Sequence, residues 1–229
     1  MRAWQLGETR MAAAEGPQAR RPGLRERKKR QTAQRIWQAA VDLFVERGFD
    51  KVSVAEIAAA ADVSKMTVFN YFGTKEDLVL RPMEEHLADA ARAVRDRAPG
   101  ESAVDALRRE LLGLIAERSP AVGLSDDRRA METLRLVLET PVLIKRAHDL
   151  QVRGQSLLAE VLAEETGEPV LAQVAAAQLI GVRNAVCADV MRRRMAGEPT
   201  ERIAADADRL ARAAFDLLEK GLSDYAVKA

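Results

Sequence analysis

Apolar residues recur at three- and four-residue spacings along nearly the whole chain from about Gln31 onward, and strand-like alternation is absent. Ala, Leu, Glu and Arg, all good helix formers, dominate the same stretch, so the pattern predicts an all-α protein of about nine helices. Residues 32–47 put Ile36, Ala40, Leu43 and Phe44 on one face and stop at Gly48, a natural residue just past a helix end. Ser53 followed by Glu56 reads as a capping box, Ser64 opens the next helix after a short break, and Thr74 with Asp77 opens a fourth reaching about Arg97. Pro82 lies inside that fourth helix and is expected to bend it at 78–82. Ser102 with Asp105, Ser125 with two acids behind it, Thr140 before Pro141, and Thr200 mark four further starts. A long Ala-rich helix is expected over 170–196, closed by Gly197. No fixed-period repeat is visible.

Charge divides unevenly along this frame. The net charge of +1 conceals 15 basic against 10 acidic residues in 1–82 and an acidic excess in the remaining 147. Most of the basic excess is "RRPGLRERKKR" (20–30), with seven basic residues and only Glu26 against them, a density suited to phosphates or to a solvated tail. The first 24 residues show scattered Gly and Pro and no sustained period, and are expected to be a disordered extension in which Met11 is a second candidate start. The expected organisation is therefore extension 1–24, a small basic domain 25–80 and a larger helical domain 81–229.

Composition narrows the function classes. A hydrophobic fraction of 48% over 229 residues suffices for a real core. Neither a signal segment nor a stretch of about 18 uncharged residues is present, so a cytoplasmic protein without membrane partners is expected. The single cysteine, Cys187, reads as a small buried apolar residue. No Gly-rich phosphate loop, H-E-x-x-H or Cys-His pair occurs, and His86 and His148 are the only imidazoles, so no enzyme activity, metal or cofactor is expected.

The stretch "VSKMTVFNYFGTKEDL" (63–78) carries the chemistry. Two short capped helices joined by a tight turn suit a helix-turn-helix, whose second helix lies in the DNA major groove. At 100° per residue Val68 and Phe72 face inward, Met66 and Asn70 fall opposite, and Thr67 and Phe69 flank the outward side. Asn70 can bond adenine in bidentate fashion, Thr67 can reach a base edge or phosphate, and Phe69 or Met66 can meet thymine methyls. Lys65, Tyr71 and Lys75 complete the candidate DNA surface. Thr32 and Ser53, expected at helix N-termini, would hold phosphates through hydroxyls and free backbone N–H groups. In the competing reading Phe69, Tyr71 and Phe72 simply form a small core.

Residues 36–80, "IWQAAVDLFVERGFDKVSVAEIAAAADVSKMTVFNYFGTKEDLVL", resemble the N-terminal DNA-binding domain of the TetR family of bacterial transcriptional regulators. The A-x-x-L-F-x-x-x-G-F block, the I-A-x-x-A-x-V-S turn and the Y-F-x-x-K-E-D-L junction carry the resemblance, which fades after about residue 90. Two positions depart from the pattern: Asp62 replaces the usual turn Gly, and Phe69 replaces a usual Tyr and so lacks a phosphate-bonding hydroxyl. The resemblance implies a homodimer that places two recognition helices in successive major grooves of a palindromic operator, about 34 to 36 Å apart. It further implies a C-terminal domain with an effector pocket and a dimer interface made by the last two long helices, and repression as the usual mode.

Residues 83–229 hold only Phe215 and Tyr225 as aromatics, so an aliphatic pocket is expected rather than an aromatic cage. Leu111, Leu114, Leu138, Leu158 and Leu179 are candidate lining, as is Leu134, with Met131 as an adaptable member. His148, Gln178, Arg183 and Asn184 are candidate polar contacts suited to a largely apolar effector with an anionic or carbonyl group. Displacement of the helix holding Pro82 would then release the operator. A DNA-organising or protein-docking regulator with the same fold and no small-molecule effector remains the second reading.

Overall fold

The computed structural model describes residues 24–221. The expected disordered extension, apart from Leu24, and Arg20 and Arg21 of the basic run therefore lie outside the described residues. Ten α-helices and one short 3-10 turn account for the described chain, and no strand occurs among those residues. In order the helices are α1 (Leu24–Arg47), α2 (Val54–Ala60), α3 (Lys65–Phe72), α4 (Lys75–Glu85), α5 (Asp89–Arg95), α6 (Ala103–Ala116), α7 (Arg128–Glu139), α8 (Pro141–Thr166), α9 (Pro169–Met195) and α10 (Thr200–Lys220). The all-α expectation holds.

Four local expectations need correction. The first helix begins at Leu24 rather than at 32, so the described part of the basic run is itself helical. The expected fourth helix is two, because helical bonding continues through Pro82 to Glu85 and lapses at 86–88, where His86 and Leu87 donate to the carbonyls three residues back. The cap of α7 is Asp127, whose carboxylate accepts the Ala130 N–H at 3.0 Å, and not Ser125. Thr200 opens α10 without capping it, since its hydroxyl donates to Asp126 at 2.6 Å.

By packing, the chain divides into two compact units, one running to Pro82 and including Asp127–Arg146, the other comprising Met83–Asp126 and the chain from Ala147 onward. In the first unit Ile36, Trp37, Ala40, Val41 and Phe44 of α1 form the inner stripe, against which α2 and α7 pack. Gly48, with φ of 88°, ends α1 in a conformation that favours glycine and turns the chain so that Phe49 lies 5.0 Å from the Phe44 ring. Asp42 of α1 and Arg129 of α7 form a two-pronged pair at 2.7 and 3.0 Å. The second unit has one continuous aliphatic core with Phe215 at its α10 end. Arg97 closes on Glu165 at 2.8 and 2.6 Å, tying the end of α5 to α8.

Helix α9 is long and apolar enough, by length and composition alone, to cross a membrane. It nonetheless contributes Ala172, Ala176, Leu179, Ile180, Val186 and Val190 to the core of the second unit. Its Arg183 reaches Glu110 of α6.

Candidate nucleic-acid interface

Helices α2 and α3 are set by local chemistry at each end. Ser53 accepts the Glu56 N–H while Glu56 accepts the Ser53 N–H, a closed capping box. The end of α2 folds back through paired bonds, Val63 N–H to the Ala58 carbonyl at 3.0 Å and Asp62 N–H to that of Ala59 at 3.2 Å. Asp62 sits there at φ 51°, the left-handed conformation its place in the turn predicts. Ser64 then caps α3 by accepting the Thr67 N–H at 3.0 Å.

The two sides of α3 differ as the helical spacing requires. Val68 and Phe72 are 1% and 5% exposed. Met66 is 68% and Phe69 41% exposed, and Lys65 and Asn70 are exposed beside them. Thr67 is half-buried, with its hydroxyl 2.8 Å from that of Ser64, so that hydroxyl is oriented by the cap. Phe69 is held by the Lys65 ammonium, 5.9 Å from the ring centre, rather than by the core. Tyr71 is half-buried, and its carbonyl accepts Arg81 Nη1 at 3.4 Å. Lys75 projects its ammonium over Phe49 at 4.3 Å and Phe44 at 5.5 Å, so a phosphate would have to compete with two aromatic faces for it.

The phosphate roles expected of Thr32 and Ser53 through free N–H groups do not fit this geometry. Thr32 lies more than two turns inside α1, where its N–H belongs to the helical ladder. Ser53 commits both its N–H and its hydroxyl to Glu56 Oε2, at 2.8 and 2.7 Å. The Glu56 carboxyl is held below its ordinary range by the Ser53 N–H and hydroxyl, with Arg47 Nη1 3.2 Å away. A carboxylate thus occupies the helix end where an external anion would sit.

The six candidate effector residues are divided between the two compact units. Met131 and Leu134 stand half-buried on α7, in the first unit, whereas the other four belong to the second. His148, Gln178 and Asn184 are exposed, because successive 100° steps turn Gln178 and Asn184 away from the buried side of α9. Arg183 alone is inward, its Nη1 donating to Glu110 at 2.9 and 3.1 Å. Glu110, 9% exposed, was not among the sequence candidates. The available signal was an acid on the α6 face that also carries Leu107, Leu111 and Leu114. Cys187 is partly buried near this pair, and burial pushes its thiol up.

Residues 36–81 match the family described as bacterial regulatory proteins, tetR family. The chain is 31% identical over 153 residues to the transcriptional regulator TcmR of Streptomyces glaucescens, covering 64% of this chain and 65% of that one. It is 37% identical over 93 residues to the transcriptional repressor Rv3405c of Mycobacterium tuberculosis, covering 39% and 50%. The chain therefore spans just under two thirds of the first of these relatives and half of the second. In fold it is similar to SmeT, solved as a triclosan complex, with a TM-score of 0.55, 20% identity and coverage of 86% and 95%. NalD of Pseudomonas aeruginosa, a secondary repressor of a multidrug efflux pump, gives 0.54, 17% identity and coverage of 83% and 96%. With the capped helix pair, the left-handed turn and the outward face of α3 in place, residues 36–81 form a helix-turn-helix segment of the kind described for the tetR family of bacterial regulatory proteins.

Proposed function

We propose that the protein is a ligand-responsive transcriptional regulator in the bacterial cytoplasm, acting as a repressor that binds a palindromic operator as a homodimer and leaves it when a largely apolar effector binds. One observation carries the DNA reading: α3 exposes Met66, Phe69 and Asn70 while its other side, Val68 and Phe72, is sealed into the core. An apolar ring and a thioether left in water on a helix fixed at both ends suit the floor of a major groove, where thymine methyls and adenine edges meet them. The basic first unit supplies the general attraction to phosphate.

The dimer is supported by α9. Val170, Leu171 and Val174 are 70%, 63% and 49% exposed, and Gly181, Ala185 and Ala188 continue an uncovered small-residue strip along the same helix. A second copy of this strip would cover it at close range. The effector reading draws on the aliphatic interior of the second unit and on the Arg183–Glu110 pair, whose guanidinium could exchange its carboxylate for a polar group of an incoming molecule. A small-molecule site also agrees with the fold relative SmeT, which was solved as a complex with triclosan.

A gel shift of the DNA upstream of the protein's own gene, with and without cell extract, tests the reading. A single discrete complex released by extract is expected. Many complexes insensitive to extract would support a DNA-organising role instead, and absence of any complex at low ionic strength would overturn DNA binding.

A further inference from the structure

The first two turns of α1 from Arg25 onward carry only exposed side chains. Residues 25–31 are all exposed, and the first buried side chain of the helix is Ile36. At 1.5 Å per residue, about 18 Å of helix precedes the core. Residues 25–35 hold six basic side chains and one acid. Their distribution round the helix is uneven. Successive 100° steps bring Arg25, Lys28, Lys29, Thr32 and Arg35 into an arc of about 120° that contains no acid. Arg27 and Arg30 fall on the other side with Glu26, whose carboxylate is 3.5 Å from the Arg30 guanidinium. One side is thus partly neutralised within the chain, and the other is a row of cations at spacings where like charges repel. Lys28, Thr32 and Arg35 also border an open surface depression with Gln31 and Gln38.

We propose that Arg25, Lys28, Lys29, Thr32 and Arg35 form a stripe that follows the phosphate backbone of the duplex outside the groove read by α3. The inference rests on the DNA-binding reading and adds a second, sequence-independent contact to it. The duplex is the occupant because the stripe belongs to the same compact unit as α3, so the polyanion that α3 engages is the one within its range. Double-stranded DNA offers one negative charge per roughly 1.7 Å of its axis, enough for every cation of the stripe to find a phosphate along its length. Thr32 stands in the middle of the arc, where its hydroxyl can donate to a phosphate oxygen without a free backbone N–H.

The test uses the full-length protein and a mixed-sequence duplex, with binding followed by fluorescence anisotropy across a salt series. The pair Lys28→Gln with Arg35→Gln, and the pair Arg27→Gln with Arg30→Gln, each remove two charges per protomer. The stripe pair should flatten the slope of log Kobs against log salt by about 2 per protomer, at about 0.9 per lost phosphate contact. The opposite pair should change it by less than half as much. Equal changes would overturn the stripe, since net charge alone would then explain both. The pair Lys28→Arg with Arg35→Lys should keep the wild-type slope, and a drop as large as that of the glutamine pair would overturn the inference by showing that helix disruption is responsible. If the wild type binds no duplex at any salt, the DNA reading itself fails, whereas wild-type binding with indistinguishable variant pairs removes the stripe alone.

Discussion

Ser53 gives its backbone N–H and its hydroxyl to the same oxygen of Glu56, at 2.8 and 2.7 Å. The bond that closes α2 therefore places a negative charge at a helix end that would otherwise attract phosphate. Glu56→Gln keeps a side chain able to cap and removes the charge, so duplex affinity at low salt should rise with little loss of stability. Ser53→Ala should cost about 1 kcal/mol of unfolding free energy. Titration of both variants with a duplex, alongside urea melts, checks the pair of outcomes. Equal or weaker duplex binding by Glu56→Gln would show that the carboxylate does not oppose the phosphates.

Asp62 occupies φ 51° at the turn between α2 and α3. A side chain with a Cβ is strained there by about 1 to 2 kcal/mol, an amount that an aspartate partly recovers through local hydrogen bonding. Asp62→Gly should stabilise the fold by up to about 1 kcal/mol, less the greater entropy of glycine in the unfolded chain. A lower urea midpoint for the variant would mean that the Asp62 carboxylate contributes more than its backbone costs.

The two sides of α3 should separate binding from folding. Asn70→Ala removes an exposed amide and should weaken operator binding by about 1 to 3 kcal/mol while leaving the melting temperature unchanged. Phe72→Ala opens the core and should cost about 3 to 5 kcal/mol of stability. If Asn70→Ala binds its footprinted site like the wild type, α3 does not read bases through that residue.

Arg183 and Glu110 join α9 to α6 with side chains 18% and 9% exposed. Removing either partner leaves a buried charge alone, at a cost of about 3 to 5 kcal/mol. Glu110→Leu should therefore destabilise strongly, and the double replacement Glu110→Leu with Arg183→Met should recover most of the loss. Denaturant melts of the three proteins form a double-mutant cycle, and additive losses would show that the charges do not depend on each other.

His86 Nδ1 lies 2.7 Å from Asp89 Oδ2 in the break between α4 and α5. The bond to Asp89 raises the imidazole above its ordinary value against the opposing effect of burial, with Glu85 assisting and Arg183 opposing. Burial pushes the Asp89 carboxyl up, but the His86 bond and the charges of His86, Arg92 and Arg183 bring it below its ordinary range. A raised imidazole stabilises the fold fully below its unfolded value of about 6.5, and the contribution is lost as pH rises through the higher folded value. The lowered carboxylate contributes above its unfolded value near 3.9 and loses that contribution only in acid. Between mildly acidic and mildly alkaline pH, wild-type stability should fall relative to that of His86→Gln. Parallel pH profiles for the two proteins would show that His86 is not coupled to folding.

Four caps are legible because each is a local signal: Ser53 with Glu56, Thr74 with Asp77 and Ser102 with Asp105 bond as the spacing predicts, and Ser64 opens α3, whereas Ser125 and Thr200 do not cap. The inward and outward sides of α3 were legible for the same reason, since one helical period fixes them. The break at 86–88 was not. Pro82 is the visible helix breaker, yet helical bonding passes it, and the backbone lapses where α8 approaches so closely that a Cβ on Gly154 would lie 3.1 Å from the Leu87 carbonyl. Nothing near Leu87 in the sequence announces a neighbour that arrives from position 154. The effector candidates suffered likewise, since a polar residue on a long helix declares its own direction but not whether another helix covers it. Arg183 faces in because Glu110 meets it, and Gln178 and Asn184 do not.

The Asp42–Arg129 pair places a segment from the middle of the chain in the same compact unit as the first helix. The compact unit that carries α3 is consequently discontinuous in sequence. A chimera that joins residues up to Pro82 to a foreign sensor would strip the cover from α1 and leave Asp42 without its cation, whereas a graft that also carries 127–146 transplants the unit with its own lining. Exchanging that unit whole takes three junctions, after residues 82, 126 and 146, and a single junction at 82 divides it.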